Sequence, residues 1–83
     1  PNPFNPVTAI SYEIPIGGQF TVGIFDVTGK LIKTLISNKQ SAGHGIVEWN
    51  GRNDIGIALP SGVYFYRLSS GDFTTTRKFI LLK

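Results

Sequence analysis

The chain has no cysteine, no methionine and a single histidine among its 83 residues. Without cysteine there is no disulfide framework, no thiolate zinc site, no iron–sulfur centre and no cysteine nucleophile. A chain this short buries only about 60–65% of the surface that its unfolded form exposes. Its stability must therefore come from packing, from a metal held by oxygen or nitrogen, or from neighbours. Without methionine there is no translation start, so Pro1 reads as a point inside a processed or longer protein.

Charge is also scarce. Charged residues make up 16% of the chain, against about 25% in an ordinary globular protein, so Ser, Thr, Asn and Gly must supply much of the surface. The net charge of +3 arises from 8 Lys and Arg against 5 Asp and Glu. These cations are scattered, and only Arg77 and Lys78 are adjacent. Nucleic-acid surfaces cluster their cations, so no nucleic-acid partner is expected. No apolar run approaches the ~18 residues that span a bilayer, and no signal-peptide pattern is present. No membrane insertion is expected.

The 41% of hydrophobic residues suffices for a core. Pro1-Asn2-Pro3-Phe4-Asn5-Pro6 excludes a helix, because proline fixes φ and pushes the residue before it to extended shapes. From Val7 the chain alternates, with Ile10, Tyr12 and Ile14 on one face of a strand that ends at Pro15. A second strand places Phe20, Val22 and Ile24 together, and Asp26-Val27-Thr28-Gly29 reads as a tight turn with Gly29 at positive φ. Lys30–Ser37 is ambiguous, since Leu31, Ile32, Leu35 and Ile36 sit at helical spacing. Its shortness and its hairpin neighbours favour a strand. A polar loop over Asn38–Gly43 precedes a strand from His44 to Trp49. Asn50-Gly51 opens a further loop, Ile57-Ala58-Leu59 is a brief extended piece, and Val63–Leu68 is a strongly β-favouring strand. Ser69–Asp72 turns into a last strand from Phe73 to Leu82.

About seven strands at this spacing predict an all-β, antiparallel, immunoglobulin- or fibronectin-like sandwich without a disulfide. Residues 1–83 form one domain, with 1–6 as its lead-in. Ile10, Tyr12, Val22, Ile24, Trp49 and Phe65 are the expected core, with Trp49 filling the space between the sheets.

Chemistry is sparse. His44 lies between two glycines at a loop–strand boundary, and no serine stands in a Gly-x-Ser-x-Gly elbow. The carboxylates Glu13, Asp26, Glu48, Asp54 and Asp72 are spread along the chain, three of them at turns, where Asp caps its own backbone. The Asn50–Gly56 loop has oxygen ligands but lacks the alternating acids and the late Glu of a calcium loop. No catalytic residue, metal or cofactor is expected. Tyr12, Trp49, Tyr64 and Tyr66 offer an alternative, a sugar-stacking platform, if they face outward.

The ordered motifs carry a resemblance. Pro1–Pro6 with Thr8-x-Ile10-x-Tyr12-x-Ile14-Pro15, then Val22-x-Ile24-Phe25-Asp26-Val27-Thr28-Gly29-Lys30-Leu31-Ile32, then Trp49-Asn50-Gly51-Arg52-Asn53-Asp54-x-Gly56, then Ser61–Leu68 and Thr76–Lys83, resemble the C-terminal sorting domains of the bacterial type IX (Por) secretion system. They are equally similar to the immunoglobulin-like domain named after the flagellar hook-capping protein. Asn50 departs from the sorting pattern, which often has Asp there. The first resemblance implies a C-terminal, non-enzymatic module that directs a larger exported protein to the cell surface or medium. Its partner would be outer-membrane secretion machinery, and its recognition residues would be Pro1, Asn2, Pro3, Gly29, Gly62, Tyr64, Arg77, Lys78 and Lys83. The second implies a structural or assembly module that contacts neighbouring domains, subunits or further copies in a filament through strand edges.

Overall fold

The computed structural model describes residues 7–82. The expected lead-in, 1–6, lies outside them. Six strands follow in order: β1 (Thr8–Ile14), β2 (Gly18–Phe25), β3 (Leu31–Gln40), β4 (Gly43–Trp49), β5 (Gly62–Ser70) and β6 (Phe73–Leu81). They form two antiparallel sheets, a two-stranded β1-β4 and a four-stranded β3-β2-β5-β6.

The expected count of about seven strands is corrected to six among the described residues. Ile57-Ala58-Leu59 is too short, between Gly56 and Pro60, to hold a ladder. It keeps one bridge, Arg52 with Ala58, and a bond from Leu59 N to Gly51 O at 2.9 Å. The loop expected over Asn38–Gly43 is shorter too, because β3 continues to Gln40, opposite Gly18.

The helical spacing in Lys30–Ser37 has a physical cause. Val22 pairs with Ile36 but Gly23 pairs with Thr34, so Leu35 is an extra residue on β3. Ile24 pairs with Lys33 but Phe25 pairs with Leu31, so Ile32 is a second extra residue. Each shift puts two residues opposite one, as a β-bulge does. Ile32 and Leu35 both pack against the core. Adjacent apolar pairs four apart thus mark two irregularities in a strand.

The core lies between the sheets in two clusters. Ile10, Ile24, Trp49, Tyr64 and Leu81 form one, and Ile14, Phe20, Val22 and Leu68 the other. Leu35, Val47 and Tyr66 touch both. Trp49 is 1% exposed, and its indole N–H donates to the Arg52 carbonyl at 2.9 Å. Tyr64 and Phe79 meet the indole in edge-on geometry. Tyr12 is half-buried and stacks at 4.9 Å on Phe20. Its ring crosses β4 at Gly45, where a Cβ would collide with it, so glycine is required there by space.

Phe65 does not join the core. It alternates with the buried Tyr64, which puts it on the outer face of the four-stranded sheet. There it pairs with Phe25, whose ring carries the Arg67 guanidinium at 4.4 Å. The period of two decides this, because a strand sends neighbours to opposite faces.

Candidate functional site

The two sheets are unequal, and this inequality makes the most distinctive surface. Two strands cannot roof four. β4 lies near β3, where Val7, Lys33, Leu35, Glu48, Trp49 and Asn50 line a cleft of about 290 Å³. On the other side β1 ends the small sheet, and among the described residues no strand lies beside its outer edge. Phe73, Thr75 and Arg77 of β6 line an open space beside that edge, and Phe73 and Arg77 are exposed.

The result is an open groove of about 610 Å³ between β1 and the β5–β6 floor. Tyr12, Glu13, His44, Tyr66, Thr75 and Arg77 are among its lining residues. Arg77 pairs with Tyr66 and so shares its inward face. Through Pro15 and Phe73 the groove continues into a more apolar depression of about 580 Å³ beside Ile16. Phe73 is 44% and Ile16 78% exposed there. Ser70 Oγ donates to the Ile16 carbonyl at 3.3 Å and ties the end of β5 to the connection between β1 and β2. On the rim, Glu13 Oε2 and His44 Nε2 are 3.8 Å apart, both well exposed. The Arg77 side chain has no hydrogen bond or ion pair among the described residues.

The residues proposed for recognition do not converge. Pro1, Asn2, Pro3 and Lys83 lie outside the described residues. Gly29, at φ +86°, closes the β2–β3 turn, and Gly62 opens β5. Arg77 and Lys78 are adjacent on β6 and therefore face opposite sides of its sheet. Tyr64 is 6% exposed, and its hydroxyl donates to the Pro60 carbonyl at 2.7 Å. That is the corner tyrosine of immunoglobulin-like sandwiches, a structural bond that leaves the ring no contact surface. Burial raises its pKa above the ordinary 10.0, with the Asp26 charge adding to the shift. The burial of Trp49 and Tyr64 takes two of the four rings of the alternative sugar platform out of reach.

The turns are occupied by their own bonds. Asp26 Oδ1 accepts from Thr28 Oγ1 at 2.6 Å, Thr28 N at 2.9 Å and Lys30 N at 3.1 Å. These bonds, the Thr28 hydroxyl first, hold its pKa below 3.8. In the long loop, Asn53 Oδ1 accepts from the amides of Ile55 and Ile57, and Asn50 Oδ1 from that of Arg52. The oxygens that suggested calcium thus serve the backbone.

The groove was missed as a site by sequence reasoning, although a signal exists. Along β6 the inward register reads Phe73, Thr75, Arg77, Phe79, Leu81. Polar residues interrupt an otherwise apolar face where no roof covers it.

Comparison with known proteins bears on the resemblance. The family model of the FlgD Ig-like domain matches residues 10–72. A solved structure of FlgD from P. aeruginosa superposes with a TM-score of 0.66 at 23% identity. The match covers 90% of this chain and 59% of that one, so this chain spans well under two thirds of the FlgD chain. At that identity the likeness speaks for the fold. Comparison with curated proteins gives no match. These matches overturn the expectation of a type IX sorting domain. The expected address at the cell surface or in the medium, and the secretion machinery as partner, rested on that resemblance and fall with it. The two resemblances share their strand pattern and turns, and the Pro-rich opening that suggested sorting precedes the matched residues. By the match over most of its length, the chain belongs to the FlgD Ig-like domain family.

Proposed function

We propose that this domain is a non-catalytic structural module that acts through strand-edge contacts with neighbouring subunits or domains of an assembly. The carrying observation is the outer edge of β1, which has no strand beside it among the described residues. Edge strands are normally guarded by lysine, proline or bulges. β1, Thr-Ala-Ile-Ser-Tyr-Glu-Ile, has no lysine, proline or bulge among its residues and one charge, Glu13. Exposed Ile16 and Phe73 lie at the end of the same groove. Membership in a family named for FlgD, a flagellar hook-capping protein, supports an assembly role.

Photocrosslinking in the native cell tests the proposal. A photoreactive residue is placed singly at Ser11 in β1, Lys39 in β3 and Thr76 in β6. A discrete protein adduct from at least one edge is expected. Absence of adducts from all three, in a protein that accumulates normally, overturns it.

A further inference from the structure

We infer that the free edge of β1 receives one extended segment of another polypeptide chain, laid over the inner face of β6 as a third strand of the small sheet. The inference deepens the assembly reading and rests on it.

The edges are not equivalent. β3 is irregular at two positions and carries Lys33 and Lys39. Lys78 stands on β6 and Arg67 on the neighbouring β5. Such features discourage pairing. The far edge of β4 runs beside β3 and closes down to the smaller cleft. Among the described residues, β1 presents a regular edge beside an open groove. An added strand would pair with β1 at a spacing of about 4.8 Å and stand about 10 Å above β6, the ordinary distances within and between sheets. It would convert a two-on-four sandwich into three-on-four.

The floor indicates what the strand carries. Tyr12, Tyr66, Leu68 and Phe73 call for apolar side chains at alternate positions. Arg77 stands among them without an ion-pair partner among the described residues and calls for a carboxylate. Glu13 on the rim is already beside His44.

The occupant is a single strand of another protein. The guanidinium of Arg77, without an ion-pair partner among the described residues, favours a partner strand that carries a carboxylate.

The test uses two nine-residue probe peptides, alternating Val and Thr, with Glu or Lys at the centre. Amide hydrogen exchange and NMR shifts are followed on the whole chain. The Glu peptide is expected to slow exchange of the outward-facing β1 amides and to shift signals of β1 and the Thr75–Phe79 stretch of β6. It should bind about tenfold more tightly than the Lys peptide, a difference of about 1.4 kcal/mol. Arg77→Glu should reverse that preference, and Arg77→Gln should abolish it while leaving the melting temperature unchanged. Three results overturn the inference: no perturbation of β1 at millimolar peptide, concentration-dependent dimers whose shifts map to β1, or binding that appears only after residues 1–6 are removed. Crosslinks from β3 or β6 alone would leave the assembly reading standing while this inference fails. Binding of the Glu peptide without any adduct in the cell would do the reverse.

Discussion

Tyr64 shows how one residue changes meaning between sequence and structure. An aromatic residue on a strand is equally suited to a sugar platform, a recognition surface or a core. Alternation places Tyr64 with Tyr66 and Leu68, and the second sheet then covers that face. Its hydroxyl meets the Pro60 carbonyl and its ring meets Trp49. Tyr64→Phe should cost about 1 kcal/mol, the worth of one such hydrogen bond, measured by urea unfolding at pH 7. The raised pKa adds a sign. Below the ordinary 10.0 the neutral phenol is present in both states and its contribution is complete. As pH rises through the higher folded value that stability is lost. The Tyr64→Phe protein should therefore lose less stability than the parent above pH 10.0. An identical alkaline decline in both would reject this role. Phe65, next along the chain, was misplaced from sequence for the complementary reason: it is as apolar as its neighbours, but the pleat turns it outward, where it pairs with Phe25.

At the scale of elements, turns were easier to read than strand irregularities. The β2–β3 turn is written in Asp26-Val27-Thr28-Gly29, because Asp supplies the acceptor and Gly the positive φ. Asp26 has a lowered pKa, so its stabilisation is present above 3.8 and is lost as pH falls through the folded-state value. Thermal melts between neutral and strongly acidic pH should show this acid component in the parent. In Asp26→Asn, which keeps an Oδ1 acceptor without the charge, the component should vanish. If both proteins decline in parallel, the turn is not its source. The irregularities of β3 were visible only as a false helical rhythm. Leu31-Ile32 and Leu35-Ile36 satisfy a helix period locally, and only pairing with β2 turns Ile32 and Leu35 into the extra residues.

For the whole molecule, the two core clusters are joined by Leu35, Val47 and Tyr66 and should unfold as one unit. Leu81→Ala in one cluster and Leu68→Ala in the other should each cost about 2–5 kcal/mol. Each should shift a single transition that coincides by Trp49 fluorescence and far-UV circular dichroism. Separate transitions would mean that the clusters are independent. The sequence by itself determined the all-β class, the antiparallel order, the turns and the buried faces of β1 and β2. All of these follow from a period of two and from turn chemistry, which act between residues close in the chain. It also left the groove undetected, because Thr75 and Arg77 read as ordinary exposed positions until their face is known. Tertiary structure decided that the six strands of the described residues divide into two and four, that β1 pairs with β4, and that an open groove lies between β1 and the β5–β6 floor. That division depends on which distant strands find each other, and no local pattern in the sequence specifies it.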